Sequence, residues 1–282
     1  MLKFKLYNDV MMPAIGFGVY QIPPEETERC VSDALETGYR MIDTAASYFN
    51  EKQVGDAIRT SGLKRKDLFI TTKLWVQDYE TGDALRAFDK SMQSLGLDYL
   101  DLYLLHKPYG NYYAAWRVAE KLYKEGRIKS IGVTSFSSER LQDLILHNEI
   151  KPMVNQLQTN PWYQQKQARE YLARENIQLE AWAPFAEGKN DIFNNRMLLG
   201  IANAHGKTVA QVILRWLIQL NIAVIPKSVK KERMQENINI FDFGLSESEV
   251  ITIARLCTSI DPIYDDQDLE TTKFIGTYKI HD

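Results

Sequence analysis

The 282-residue sequence predicts one (β/α)8 barrel domain spanning 1–282, an α/β fold in which each of eight parallel strands leads into a helix. Short β-favouring runs alternate with longer segments whose apolar residues recur every three or four positions, which is typical of repeated βα units. Eight such units fill residues 14–238, about 28 residues each, close to the length of one strand–helix crossover. A doubly wound sheet is the less economical alternative, because it usually has fewer strands and a glycine-rich fingerprint after the first.

Each predicted strand is a short apolar run, and the helices between the strands carry start and stop signals. The first helix opens at Pro23-Pro24-Glu25-Glu26, a proline and acidic start signal, and ends at Gly38. The clearest helix covers residues 208–220, whose apolar side chains form one stripe. Others are expected at 51–59, up to Gly96 and from about Lys231. The strands are expected at 14–17, 40–43, 68–73, 99–105, 128–133, 153–156, 177–181 and 222–225.

Two segments lie outside the eight units. Residues 3–6 and 10–12 flank the turn-like tripeptide Tyr7-Asn8-Asp9, which predicts a small N-terminal β-hairpin. After the barrel, a polar tail follows one extra C-terminal helix, marked by the stripe Val250, Ile253, Ala254 and Cys257.

Composition narrows the classes of partner. The chain has 34 basic and 37 acidic side chains, a net charge of −3, and no basic run that tracks a phosphate backbone, so no nucleic acid partner is expected. Two cysteines are too few for a disulfide framework or a CxxC metal site and are interpreted as reduced thiols. No signal peptide or membrane span is recognised. We expect a cytoplasmic monomer that binds a small molecule, without a metal.

Polar residues end three consecutive predicted strands. Asp43 ends the second, Lys73 the third and His106 the fourth, and Tyr48 lies on the loop that follows Asp43. The carboxyl ends of barrel strands form one rim, where the chemistry of such folds is found. The four side chains are therefore expected to meet.

This set suits proton donation to a carbonyl oxygen. An ammonium at Lys73 favours the phenolate of a neighbouring Tyr48 and so makes it a usable general acid, while Asp43 holds Lys73 in place. His106 supplies a second donor to a developing oxyanion. No nucleophilic Ser or Cys is expected in the cluster, so covalent acyl transfer is not suggested. The alternative is that Lys73 forms a Schiff base with the substrate, as in barrel aldolases. That chemistry does not need Asp, Tyr and His side chains beside the lysine, so their presence favours proton donation.

Seven segments resemble the aldo-keto reductase superfamily, and the resemblance covers essentially the whole chain. The short loops and residues 180–185 (EAWAPF) are similar to the bacterial branch that includes diketogluconate and methylglyoxal reductases. The seven segments are 16–18 (GFG), 43–48 (DTAASY), 71–75 (TTKLW), 105–108 (LHKP), 132–136 (GVTSF), 155–156 (NQ) and 225–228 (IPKS).

The resemblance implies an NADPH-dependent reductase that converts aldehydes or ketones to alcohols. It implies that Tyr48 is the proton donor, that Lys73 and Asp43 tune it, and that His106 orients the carbonyl. It also implies that the nicotinamide stacks on Trp182. The remaining implied cofactor residues are Thr134, Ser135 and Gln156 at the carboxamide, Lys227, Ser228, Val229 and Arg233 at the phosphates, and Asn237 near the adenine.

General barrel chemistry agrees with this phosphate position, because phosphates in barrels tend to bind after strands seven and eight at a helix N-terminus. Four cations lie within seven residues there, which favours NADPH over NADH: Lys227, Lys230, Lys231 and Arg233.

Two positions depart from the family pattern. The family usually has Ser-Asn where this chain has Thr134-Ser135, which removes a carboxamide and leaves the nicotinamide less firmly held. The family also usually places Trp after the active-site His, where this chain has Lys107. An ammonium pointing into the pocket would favour carboxylate-bearing substrates, whereas one reaching solvent would leave a wider pocket for neutral aldehydes. Tyr20 and Trp75 are the other predicted pocket residues.

A second functional class stays open at this point. Barrels of this family also serve as NADPH-binding regulatory or structural proteins with little turnover. The presence of all four polar residues at the strand ends favours turnover.

Overall fold

The computed structural model describes residues 2–257, 262–263, 265 and 268–282, and it confirms the predicted α/β barrel. The strands are β1 (Lys3–Lys5), β2 (Met11–Pro13), β3 (Phe17–Gly18), β4 (Met41–Asp43), β5 (Phe69–Leu74), β6 (Leu102–Leu105), β7 (Ile131–Thr134), β8 (Val154–Gln158), β9 (Gln178–Trp182) and β10 (Ala223–Val224). The helices are α1 (Pro24–Thr37), α2 (Glu51–Thr60), α3 (Thr81–Leu95), α4 (Tyr112–Lys124), α5 (Ser138–Leu146), α6 (Lys166–Arg174), α7 (Arg196–His205), α8 (Val209–Gln219), α9 (Lys231–Ile238), α10 (Glu247–Ala254) and α11 (Leu269–Thr277).

Strands β3 to β10 pair in sequence order, and each pair is parallel. The two ends of this sheet close on each other: the Gly16 N–H donates to the Val224 carbonyl at 2.8 Å, and the Val224 N–H donates to the Ala14 carbonyl at 3.0 Å. Gly18 suits this closure because a Cβ there would lie only 3.0 Å from the Ile225 carbonyl oxygen. The eight carboxyl ends therefore share one rim.

The N-terminal hairpin is also confirmed. Strands β1 and β2 pair antiparallel, with Phe4 opposite Met12, around the turn that the sequence predicts.

Local signals explain where the helices begin and end. Gly38 ends α1 in the left-handed region, at φ 115°, and its N–H donates to the carbonyl oxygens of the last turn. Thr208 and Gln211 form a capping box at the start of α8. The predicted apolar stripe of α8 is buried, including the fully buried Trp216. These elements form the layer of helices that encloses the strands.

Strand boundaries shift where side chains interrupt the ladder. The run predicted at 99–105 is paired only as β6, because the Asp101 carboxylate accepts the Ile70 N–H at 3.0 Å and Leu100 makes only an isolated bridge with Ile128. The first strand is shorter than its predicted run, with Ile15 bridging singly to Val224.

Two helices were missed in the sequence. Helix α7 lies between β9 and α8, and the Asn195 side chain caps it by accepting the N–H groups of Met197 and Leu198. Helix α11 lies in the segment expected to be a polar tail, capped by Asp268, which accepts the Thr271 N–H at 2.8 Å. The extra helix α10 is confirmed, but it ends before Cys257, which is exposed.

Among the described residues, none of the helices combines the length and apolar character needed to cross a bilayer.

Candidate active site

The rim brings together the four predicted residues from three neighbouring strands. Asp43 ends β4, Lys73 lies in β5, and His106 directly follows β6. Tyr48 is on a single turn of 3-10 helix, residues Ala46–Tyr48, that leaves β4. Because β4, β5 and β6 pair in this order, the side chains face one another across the mouth.

Lys73 is the centre of this cluster. Its Nζ donates to Asp43 Oδ1 at 2.5 Å, to the Thr44 carbonyl oxygen at 2.8 Å and to the Tyr48 hydroxyl oxygen at 3.5 Å. An ammonium has three hydrogens, so this set uses all of them. Lys73 is fully buried and Asp43 nearly so, which strengthens their attraction. The lysine is thereby held in place with one hydrogen aimed at the phenol.

His106 lies beside Tyr48 and is neutral. Burial, and then the charges of Lys73 and Lys107, hold the pKa of His106 well below its ordinary value. Its ring centroid is 5.6 Å from that of Tyr48 and 5.2 Å from that of Trp75, edge to face in both cases. A neutral imidazole carries one N–H, so it can donate a single hydrogen bond toward the mouth.

Ser47 is a member of the cluster that the sequence analysis missed. Its Oγ lies 3.3 Å from His106 Nδ1, whereas no serine was expected there. Its place next to Tyr48, on the turn that leaves β4 at the rim, was the available signal.

A second layer of polar residues lies behind Asp43. Gln156 Nε2 donates to Asp43 Oδ2 at 3.0 Å and to Glu180 Oε2 at 2.7 Å. Burial, and then the charge of Asp43, raises the pKa of Glu180 to about 8. Glu180 Oε1 has no hydrogen-bond partner among the described residues. The signal for Glu180 was an acidic residue inside the apolar run 177–181.

The residues expected at the carboxamide lie at the ends of β7 and β8. The Thr134 hydroxyl donates to the His106 carbonyl oxygen, so it supports the histidine backbone. Ser135 adopts φ 61°, a left-handed conformation that is uncommon for serine. Its Oγ lies 3.3 Å from Lys107 Nζ. Trp182 is half-buried at the end of β9.

Of the two placements that the sequence left open for Lys107, the structure does not adopt the one that reaches solvent. It is buried, and its ammonium donates to Ser135 at the end of β7. Its direction depends on that neighbour, which the sequence alone does not reveal.

The predicted phosphate segment leads from β10 into α9. Lys227, Lys230 and Arg233 are exposed and form no ion pair with any residue in the described ranges, and α9 has no side-chain cap. Ser228 Oγ accepts the Lys230 N–H at 3.0 Å and so closes the turn before the helix. Val229 is also exposed at this turn.

Two residues of this segment differ in their surroundings. Lys231 lies 3.2 Å from Asp33 and 2.5 Å from Glu36, both on α1, so its charge is already paired. Asn237 is buried on α9.

Aromatic side chains line the mouth. The Tyr20 ring lies 4.9 Å from that of Tyr48. Trp75 Nε1 donates to the Tyr278 carbonyl oxygen at 2.8 Å, and Trp75 packs with Tyr109 and with Ile275 of α11. The C-terminal segment therefore borders the mouth, a contact between residues about two hundred positions apart that no local pattern predicts.

In the part of the chain that the structure describes, no group of three or more His, Cys, Asp or Glu side chains is arranged to hold a metal ion.

Comparison with known proteins shows the family of this chain. A sequence model of the Aldo/keto reductase family matches residues 14–257. The chain is 47% identical over 254 residues to a glyoxal reductase of Bacillus subtilis, covering 89% of this chain and 91% of that protein. It is 43% identical over 255 residues to the methylglyoxal reductase DkgA of Yersinia pestis, covering 89% and 91%. A Bombyx mori aldo-keto reductase structure in complex with NADP is 30% identical, covers 96% of both chains and superimposes with a TM-score of 0.90. The chain therefore belongs to the aldo/keto reductase family.

Proposed function

We propose that this protein reduces small aldehydes or ketones to alcohols with NADPH. The observation that carries the proposal is the Lys73 ammonium, held by Asp43 and directed at the Tyr48 hydroxyl beside a neutral His106. Such a group protonates a carbonyl oxygen while the carbonyl carbon is reduced. The reductase names of the relatives and the NADP in one related structure support the same reaction.

The phosphate segment fits the cofactor. Lys227, Lys230 and Arg233 are exposed cations without ion pairs to described residues, beside a helix N-terminus that lacks a side-chain cap. Such an end has free backbone N–H groups and a positive partial charge, both of which favour phosphates. NADPH carries one more phosphate than NADH, so these cations favour NADPH.

When bound, NADPH supplies the hydride that reduces the carbonyl carbon. Trp182 would support the nicotinamide ring, with Ser135 and Gln156 at its carboxamide. Lys227, Ser228, Val229 and Arg233 would lie at the phosphates, and Asn237 at the adenine. Thr134 acts through the His106 backbone, because its hydroxyl proton is already donated there.

Tyr48 is the proton donor. As the carbonyl carbon gains the hydride, the carbonyl oxygen takes the Tyr48 hydroxyl proton, and the alcohol forms. The resulting phenolate lies next to the Lys73 ammonium, which stabilises the negative charge. Asp43 and the Thr44 carbonyl keep the ammonium in this position.

His106 orients the carbonyl oxygen. The Ser47 hydroxyl lies 3.3 Å from Nδ1, and when it donates to that nitrogen the hydrogen of the neutral ring is on Nε2. That N–H is the second donor to the carbonyl oxygen, beside the Tyr48 hydroxyl.

The substrates are small neutral carbonyl compounds such as glyoxal and methylglyoxal. Tyr20 and Trp75 make the mouth aromatic, and the Lys107 ammonium is directed at Ser135. The named activities of the two curated relatives support this class of substrate.

The protein acts as one domain, in the cytoplasm. The hairpin and the C-terminal helices pack on the barrel, and both cysteines are free thiols, as is usual in a reducing compartment.

The test is direct. Purified protein with NADPH should lose absorbance at 340 nm when methylglyoxal is added, in proportion to the protein concentration. Binding of NADPH without any absorbance loss over a panel of aldehydes and ketones would instead support a cofactor-binding protein with little turnover.

A further inference from the structure

We infer that Lys107 is a positioning residue for the cofactor: its ammonium makes the Ser135 hydroxyl a donor toward the nicotinamide carboxamide. The inference rests on the proposed function, since it concerns the NADPH that this function requires. In this role Lys107 acts on cofactor binding, and neither on proton transfer nor on the selection of substrates by their charge.

The fold sets Lys107 and Ser135 side by side. Strands β6 and β7 pair with Leu105 opposite Val133, and Lys107 and Ser135 each lie two residues further along the chain, just past the strand ends. The Lys107 backbone is fixed by the buried Tyr79, whose hydroxyl donates to the Lys107 carbonyl at 2.8 Å and accepts the Lys107 N–H at 3.1 Å. The side chain therefore starts from a rigid point and reaches Ser135 Oγ at 3.3 Å.

The direction of this hydrogen bond is unambiguous. A lysine ammonium has donors and no acceptor, so Ser135 Oγ must accept. A hydroxyl has a single hydrogen, and that hydrogen then points away from Lys107. The Ser135 backbone is itself fixed, since its N–H donates to the Gln156 carbonyl oxygen at 2.9 Å. Ser135 is thus presented as a hydrogen-bond donor.

Gln156 presents a hydrogen-bond acceptor, in contrast to Ser135. Both hydrogens of its side-chain amide are engaged, one by Asp43 and one by Glu180. Only its Oε1 is then left to meet a ligand, and that atom accepts.

The pair of one donor and one acceptor matches a primary carboxamide. Its carbonyl oxygen can accept from Ser135 and its NH2 can donate to Gln156. In the reversed carboxamide, the NH2 would face the Ser135 donor and the carbonyl oxygen would face the Gln156 acceptor. This arrangement selects one orientation of the carboxamide. It also accounts for a serine where the family usually has an asparagine, because Lys107 acting on Ser135 supplies the donor that the asparagine amide would provide.

The experiment measures binding rather than turnover. Isothermal titration calorimetry would give the Kd of NADPH and of adenosine 2′,5′-bisphosphate, which lacks the nicotinamide, for wild type, Lys107→Met, Ser135→Ala and the double variant. We expect each single substitution to weaken NADPH binding by about three- to tenfold, the loss of one hydrogen bond. The double variant should lose no more than the larger single loss, because both substitutions break one chain of contacts. The bisphosphate should bind all four proteins equally.

Other results would overturn the inference. An equal loss for the bisphosphate would show that Lys107 acts only as a general positive charge. Additive losses would show that it does not act through Ser135, and an unchanged Kd in Lys107→Met would remove its role altogether.

Two further measurements keep the test decisive. Lys107→Gln retains a side-chain donor, so it should lose less NADPH affinity than Lys107→Met, and it replaces Lys107→Met if that variant does not fold. Wild-type protein that binds neither NADPH nor the bisphosphate would instead refute the proposed function itself.

Discussion

The Lys73 ammonium lies 3.5 Å from the Tyr48 hydroxyl oxygen, and its other two hydrogen bonds go to Asp43 and to the Thr44 carbonyl. The charge therefore has a fixed position relative to the phenol. A positive charge held in advance at the atom where negative charge will develop requires no rearrangement during the reaction. Proton donation by Tyr48 depends on this relationship.

The exposed cations before and within α9 should determine the choice of cofactor. Arg233→Ala should weaken NADPH binding by about 1 to 3 kcal/mol, the range of a lost charge-assisted hydrogen bond, and barely change NADH binding. Lys231→Ala is the matched control on the same helix, because Lys231 is already paired with Asp33 and Glu36 and should affect NADPH less. Titration of wild type and both variants with each cofactor, six pairs in all, checks this, and equal losses for both cofactors in Arg233→Ala would contradict it.

Ser47 should support catalysis through His106. Ser47→Ala removes the hydrogen-bond partner of Nδ1, so nothing on that side then favours one tautomer of the ring. We therefore expect kcat/KM to fall about two- to tenfold, the scale of one hydrogen bond. The Kd of NADPH should stay constant, since Ser47 is not among the proposed cofactor residues. Steady-state kinetics with methylglyoxal, together with a cofactor titration, separates the two effects. A Kd that changes as much as kcat/KM would show a general disturbance of the rim.

Glu180 should make the protein less stable as the pH rises. Its folded-state pKa is raised to about 8 from an ordinary 4.5, first by burial and then by Asp43. Its contribution to stability is thus fully present below pH 4.5 and is lost as the pH rises toward 8. Glu180→Gln cannot ionise, so its free energy of unfolding relative to wild type should increase between pH 5 and pH 8.

Denaturant unfolding at several pH values measures this difference. The exposed Glu232→Gln on α9 is the control, and its difference from wild type should stay constant over the same range. A pH-independent difference for Glu180→Gln would mean that Glu180 is already ionised in the folded protein at pH 5.

The positions of Asp43, Lys73 and His106 follow from the sequence for a physical reason. Parallel strands in sequence order bring their carboxyl ends to one rim, so a residue at the end of a predicted strand has a known location even when its neighbours are unknown. Tyr48 could be added because its loop leaves the same rim.

The direction of a side chain and its contacts with distant parts of the chain cannot be predicted from the sequence in this way. Lys107 turns to Ser135 because of the spacing between β6 and β7, which a hydrophobic pattern does not specify. The hydrogen bond from Trp75 to Tyr278 joins the barrel to a segment whose sequence is mostly polar. The contact of α11 with the aromatic side chains Trp75 and Tyr109 is made by a single residue of that helix, Ile275. Helix α7 was missed because its segment lies between a predicted strand and a stronger helical stripe.

Turnover by Tyr48→Phe, measured together with its NADPH affinity, tests the central claim most directly. The substitution removes the hydroxyl and keeps the ring, so the packing against Tyr20 and His106 is retained. If Tyr48 gives the proton to the carbonyl oxygen, kcat for methylglyoxal reduction should fall by at least about 100-fold while the Kd of NADPH stays nearly unchanged. Turnover retained within a few-fold of wild type, with the same NADPH affinity, would contradict the account and assign the proton to another donor.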